Sequence, residues 1–189
     1  ERMPGHNRVP LLRAEVHAAG GDWPSAVRSA RRSISLEPEF ASAHARLGAY
    51  LRKGGFLWVD DFWGPFAWEQ WAGAIGKVLP PGRYPIVDIP ISDPLHHGMF
   101  DVEAVPQIPS IQHFRRVGGT TTSERGTLSA EVHVRGIYDE HGRLMVLMTH
   151  NTDIADGWER EGEDYEFFYR FSVTSYAVGI NVILHAMSH

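Results

Sequence analysis

Apolar positions along this chain recur first at helical spacing, then as short continuous runs, and finally at helical spacing again. Roughly the first fifty residues are rich in Ala and Arg and place their apolar side chains as helices do. Leu11 to Ala19 is one predicted helix. Gly20-Gly21-Asp22 interrupts it, and Pro24 suits the first turn of a second helix, where its missing N–H has no intrahelical partner to lose. That second helix carries Ala26, Val27, Ala30 and Ile34, and Pro38 closes it. Phe40 to Lys53 forms a third, with Ala43, Leu47, Tyr50 and Leu51 facing inward.

The texture changes at Gly54. Phe56-Leu57-Trp58-Val59 is a continuous apolar run between a glycine pair and an acidic pair, which predicts a central parallel strand buried on both faces. Pro65 opens a helix whose Trp68, Trp71, Ala72, Ile75 and Leu79 share one face, and Pro80-Pro81-Gly82 stops it. Tyr84 to Ile91, with prolines at 85 and 90, reads as a strand at a sheet edge. Ser92 to Leu128 is irregular, and a stretch that long inside a compact domain is usually functional or disordered. Val132 to Tyr138 and Arg143 to His150 predict a strand pair joined by Asp139-Glu140-His141-Gly142. After the acidic Trp158 to Asp164 stretch comes an amphipathic helix with Tyr176, Ile180, Ile183, Leu184 and Met187 on its apolar face.

Charge and composition narrow the function classes. The balance of 18 Lys+Arg against 23 Asp+Glu gives a formal charge of -5 with no polybasic run, so nucleic acid is not an expected partner. Cysteine is absent, which removes disulfides, thiolate metal sites and thiol nucleophiles. No apolar stretch is read as approaching the roughly 20 residues of a membrane span, and Glu1-Arg2-Met3-Pro4 lacks the apolar run of a signal peptide. Cytoplasmic and periplasmic locations both fit. No G-x-S-x-G elbow, phosphate-binding P-loop or G-x-G-x-x-G fingerprint is present, and no cofactor or resident metal is expected.

Two resemblances organise these readings. Gly21-Asp22, Ala26, Ala30, Pro38, Leu47-Gly48 and Gly54-Gly55 fall at the offsets of a tetratricopeptide repeat, so residues 1–46 resemble about one such repeat and the start of another. An ordinary Ala-rich helical hairpin shows the same pattern, and either one provides a surface for a protein partner. From about Leu47 to His189 the chain resembles the DUF4159 family. The residues that carry this are Leu51-Arg52-Lys53-Gly54-Gly55-Phe56-Leu57-Trp58-Val59-Asp60-Asp61-Phe62-Trp63-Gly64, Val105-Pro106-Gln107-Ile108-Pro109-Ser110-Ile111, Thr122-Ser123-Glu124-Arg125-Gly126, the run from Met148 to Glu161, and Tyr176-Ala177-Val178-Gly179-Ile180-Asn181. The resemblance implies an α/β fold with a flavodoxin-like, class I glutamine amidotransferase-like parallel sheet, related to trehalose-utilisation-type domains. Repeat-like helices stand here where the family has a further strand and helix, so the sheet is expected to lack its first strands. Ser33 to Ala45 can also be read as a shortened remnant of that stretch.

Open parallel sheets bind ligands beyond the carboxyl ends of their strands. Asp60 and Asp61 end the first strong strand, where one can orient a hydroxyl, hold a cation or act as acid/base while the other caps the next helix or pairs with an arginine. His150-Asn151-Thr152-Asp153, with Asp156, Glu159 and Arg160, follows a second strand and concentrates donors and acceptors, either for a ligand or to brace the sheet end. Arg125 offers a planar fork for an anion, or an internal salt bridge with Glu124. His96-His97 point apart on an extended chain and read as surface residues rather than zinc ligands. Without a cysteine the amidotransferase thioester route is closed. The expected function is therefore a noncatalytic module binding a small polar ligand or a protein segment. The alternative is a hydrolase or isomerase of carbohydrate-like substrates that uses Asp and His as acid and base.

Overall fold

The computed structural model describes residues 41–188. The first two predicted helices, and with them most of the repeat-like segment, lie outside the described residues. The third begins the described chain as α1 (Ala41–Arg52), with Ala43 and Leu51 buried and Leu47 and Tyr50 packed against the same cluster.

β1 (Leu57–Val59) and α2 (Gly64–Val78) follow, Pro65 standing in the first turn of the helix and Ile75, Val78 and Leu79 buried against the sheet. β2 (Val87–Asp88) is short because Pro85 and Pro90 bracket it, and proline cannot donate to a ladder. β3 (His133–Tyr138) and β4 (Leu144–His150) form the predicted hairpin, turned at Gly142 with φ of 81°. The sheet order is β1-β4-β3-β2.

This mixed sheet differs from the all-parallel sheet that the family resemblance implies. β1 runs parallel to β4, with Leu57, Trp58 and Val59 opposite Val146, Leu147 and Met148, while β3 is antiparallel to both β4 and β2. Among the described residues the central, fully buried strand is β4, and β1 lies at the edge of the four. Three residues of continuous apolar sequence in β1 signalled burial, and Leu57 and Val59 are buried, but Trp58 is only half-covered. An apolar run reports how well side chains are covered and is silent on how many strands lie beside it.

Helices cover both faces of the sheet. One face holds α1 and α2 over Leu57, Val59, Met145, Val146 and Met148. The other holds the irregular segment and two later helices, α4 (Ile154–Glu159) and α5, a continuous helix over Tyr165–Ser188 with a π-helical stretch at Phe168–Ser172. The stretch from Ser92 to Leu128 is neither disordered nor a free loop. It contains a 3₁₀ turn at Pro94–His97, α3 (Ile111–Arg116) and a second 3₁₀ turn at Gly126–Ser129, and it inserts Leu95, Val102, Ile108, Ile111 and Phe114 into the core.

α5 reverses its expected orientation. Its predicted apolar face is turned outward, with Tyr176 40%, Ile183 56%, Leu184 42% and Met187 79% exposed. The buried side is built from Ser172, Ser175, Val178, Gly179, Asn181 and Val182. Close helix contact explains this: a Cβ at Gly179 would stand 2.6 Å from the Trp158 ring, and one at Gly157 in α4 would stand 2.4 Å from Ser175 Cβ. Small residues let α4 and α5 approach, and large ones on the same side would hold them apart. Gly157→Ala is accordingly expected to cost about 1–3 kcal/mol by overpacking. Urea unfolding of Gly157→Ala should show it, with partial rescue by Ser175→Gly and none by Ser175→Ala, because alanine keeps the clashing Cβ.

Candidate functional site

The parallel pairing of β1 and β4 brings their carboxyl ends side by side, so the two segments singled out from sequence share one edge. The chains stay joined past the ladder: Asp61 N–H donates to Thr152 O at 3.2 Å and Asn151 N–H to Phe62 O at 2.9 Å. Both strands turn sharply here, and Asp61 (φ 58°) and Asn151 (φ 64°) are the two non-glycine left-handed residues among those described. Aspartate and asparagine tolerate that conformation best among residues with a Cβ.

Alternation along β1 and β4 sorts the candidates into two groups. Asp60 and Thr149 lie on the α4/α5 side. Trp58 Nε1–H donates to the Thr149 hydroxyl at 2.9 Å, the hydroxyl donates to Asp60 Oδ1 at 2.6 Å, and Asp60 Oδ2 accepts the Ala155 amide at 2.9 Å. Neither Asp60 nor Asp61 caps α2, whose N-cap is Trp63 with no side-chain bond. Asp60 instead serves the first turn of α4, and Asp61 accepts Trp63 Nε1–H at 3.0 Å. Asp153 is the N-cap of α4, accepting the Asp156 amide at 3.0 Å.

These carboxyls repel one another, Asp153 in a dry setting, Asp60 largely enclosed and Asp61 exposed to solvent. Burial, opposed in part by the Thr149, Ala155 and Asp61 hydrogen bonds, raises Asp60 to about 7. Burial first and the Asp61 charge second raise Asp153 to about 8. Asp61 is raised less far, chiefly by desolvation, and also feels Glu124 and Asp156. Near neutral pH the cluster therefore holds protonated and ionised carboxyls together, donors beside acceptors.

His150 belongs to the opposite side. Its ring stacks on Phe62 at 4.9 Å and on His133 at 5.5 Å, with Trp68 at 5.4 Å and the Arg135 guanidinium 4.0 Å over Trp68. Its Nε2 meets Gly64 O at 3.1 Å and its Nδ1 meets Arg135 Nη1 at 3.3 Å. A carbonyl can only accept and a guanidinium can only donate, so this imidazole is neutral with its proton on Nε2. Burial, with Arg135 and His133 nearby, lowers it to about 4. Asn151 braces the turn, accepting from Gly64 N–H at 2.8 Å and donating to Glu131 O at 2.7 Å.

The remaining candidates sit around the cluster. Asp156 accepts the Ile111 amide at 2.9 Å and pairs with Arg160 at 3.4 Å, and Arg160 also reaches Glu163 at 3.0 Å. Glu159 is exposed at the far end of α4. Arg125 is exposed and runs its stem past Gly64, within 3.7 Å of where a Cβ there would lie, while Glu124 turns away from it to accept the Ser110 amide at 2.9 Å and hydroxyl at 2.6 Å. His96 is buried, contrary to the surface reading, and His97 is exposed beside Asp101.

Sequence reasoning missed two residues that hold this edge together, Gln107 and Thr149, and named Thr152 only as part of the His150–Asp153 cluster. Gln107 donates to Ser129 O and Asn151 O at 2.8 and 3.1 Å, Thr152 Oγ1 links Pro106 O and Ile108 N–H at 2.8 and 3.0 Å, and Thr149 orders Asp60. All three stand inside the blocks quoted for the family resemblance, which was the available signal. Among the described residues no three His, Asp or Glu side chains are disposed as metal ligands.

Fold and site together define a mixed α/β domain with a carboxyl-rich edge beyond one parallel strand pair. The chain belongs to the family described as Domain of unknown function (DUF4159), which matches residues 32–187. Comparison with curated proteins and with solved structures gave no match.

Proposed function

We infer that this domain is a noncatalytic module that binds a small polar, polyhydroxylated ligand at the edge formed by Asp60, Asp61 and Asp153. The observation that carries this reading is the convergence of three carboxyls of which two, Asp60 and Asp153, are raised to about 7 and about 8. A protonated carboxyl donates and an ionised one accepts, and adjacent hydroxyls on a ligand require that combination. Arg125 provides an exposed guanidinium close by for an anionic substituent.

A second reading rests on the same groups. A carboxylic acid that keeps its proton near neutrality beside an ionised partner is also the arrangement of general acid/base catalysis on carbohydrate-like substrates. It would run through Asp153 and a neighbouring aspartate, because both ring nitrogens of His150 are engaged in the opposite layer. The kinship to amidotransferase-like folds remains part of this proposal, supported by the parallel β1–β4 pair with helices on both faces of the sheet. The repeat-like segment of residues 1–46 is assigned to docking a protein partner on its sequence pattern.

Thermal-shift screening with sugars, polyols, amino acids and divalent cations tests the reading, since a ligand of the native state raises the melting temperature. A polyol should stabilise more at about pH 6 than at about pH 9, where the donor protons of Asp60 and Asp153 are gone. The opposite pH trend would identify a cation ligand. A polyol shift unchanged in Asp153→Asn and Asp61→Asn would sink the site, and turnover of a bound sugar lost in Asp153→Asn would establish the enzymatic reading.

A further inference from the structure

The outward face of α5 carries an apolar seam that the folded domain leaves uncovered. Tyr169, Val173, Tyr176, Ile180, Ile183 and Met187 recur at spacings of 4, 3, 4, 3 and 4 residues, the a/d repeat of a helix that packs against another helix. Tyr169, Val173, Ile183 and Met187 are 64%, 64%, 56% and 79% exposed. From Phe171 to Ser188 the helix contains no Asp, Glu, Lys or Arg.

We propose that α5 is a homodimer interface, in which the seam of one copy packs antiparallel on the same seam of a second. Three features select a second copy over other occupants. Over the stretch that overlaps its own copy, Val173 to Met187 with Leu184 beside it, the exposed seam amounts to on the order of 500 Å² per subunit, so a closed pair covers about the 1,000 Å² that a specific interface needs. Self-pairing brings no charged side chains of the overlapping helices together, because none lie between Phe171 and Ser188, and the Glu161 carboxylate beside the seam is held by the Tyr176 hydroxyl. A helix adapted to lie on a membrane surface carries Lys and Arg along its polar flank, and here that flank is Ser, Thr and Asn packed into the domain. By length and composition Tyr165–Ser188 is also apolar enough to cross a bilayer, but 44% of its most apolar window is already buried inside the domain. A two-fold axis at Ile180 sets that residue against its own copy, places Val173 against Met187, and makes the contact closed and self-complementary.

The absence of cysteine makes the test direct. Sedimentation of the full chain should show a dimer, and Ile183→Glu with Val173→Glu, both at exposed positions, should weaken it by roughly 100-fold or more while circular dichroism stays unchanged. Ile180→Cys should form a disulfide-linked dimer on mild oxidation, whereas Lys77→Cys on the exposed side of α2 should not. A monomeric wild-type chain, a dimer indifferent to the two glutamates, or Ile180→Cys failing to cross-link would each overturn the proposal. So would a monomer that co-sediments with phosphatidylcholine vesicles through this face.

Discussion

Asn181→Leu is expected to destabilise the domain by about 3–5 kcal/mol and to release the segment around Pro94–Asp101 from α5. The Asn181 side chain is buried and uses its full hydrogen-bonding capacity. Its Oδ1 accepts the amides of Met99 and Phe100, both at 2.9 Å, and its Nδ2 donates to His96 O at 2.9 Å and Phe100 O at 2.8 Å. One amide thereby serves four backbone groups of a segment with little regular structure of its own. Leucine has the same branched outline, though it is larger, and satisfies none of them, and each buried group left unpaired costs about 1–3 kcal/mol where water cannot replace the bond. Hydrogen exchange should lose protection at the Met99 and Phe100 amides well before the β3–β4 ladder does. Asn181→Asp keeps the two acceptor bonds and loses both donors, so those two amides should stay protected even though the domain is weakened. Equal loss of protection in both variants would show that packing, not these bonds, holds the segment.

Asp153→Asn is expected to stabilise the domain at alkaline pH, by on the order of 2–4 kcal/mol, and to leave it nearly unchanged only below about pH 4, where the carboxyl is protonated in both states. Asparagine caps a helix as well as aspartate does, so the bond to the Asp156 amide survives while the charge disappears. The native pKa of Asp153 is raised from 3.8 to about 8, and that of Asp60 to about 7. Between the unfolded and folded values the native state binds more protons than the unfolded chain, so stability falls as pH climbs from about 4 towards 8. His150 acts in the opposite sense: lowered from 6.5 to about 4, it makes stability fall as pH drops through that window. Two raised carboxyls outweigh one lowered imidazole, so on balance stability is expected to fall as pH rises from about 4 towards 8. The groups facing Asp153 are Asp61, Asp156 and Asp60, and the substitution removes first the cost of burying a charge and second the repulsion from those carboxyls. Melting temperatures across the pH range check this. A wild-type profile flat from about pH 5 to 9, or an Asp153→Asn profile parallel to it, would show that the carboxyl is ordinarily ionised and the cluster is not strained.

Several elements were legible in the chain because each depends on local chemistry. α1, α2 and the β3–β4 hairpin lie within a few residues of their predicted bounds, set by Gly54-Gly55, Pro65, Pro80-Pro81 and the Asp139–Gly142 turn. The meeting of the Asp61 and Asn151 turns was also anticipated, since two strands that run parallel as neighbours bring their carboxyl ends to one edge. The division of that edge was not. Adjacent residues such as Thr149 and His150 point to opposite layers, and only the pairing register decides which layer holds Asp60.

The family resemblance, the apolar periodicities and the turn residues follow from sequence alone, because they record interactions between residues close along the chain. Strand order, the outward turn of Ile183 and Met187 in α5, and the raised protonation of Asp60 and Asp153 were settled by tertiary structure. A helix with Tyr176, Ile180 and Ile183 on one side and Ser175, Gly179 and Asn181 on the other is amphipathic in either orientation. What turned it was the close fit of Gly157 to Ser175 and of Gly179 to Trp158, together with the four bonds that Asn181 makes to a distant segment. Desolvation likewise belongs to a place in the fold and not to a residue type, so an aspartate becomes an acid with a neutral-range pKa only once the chain has closed around it.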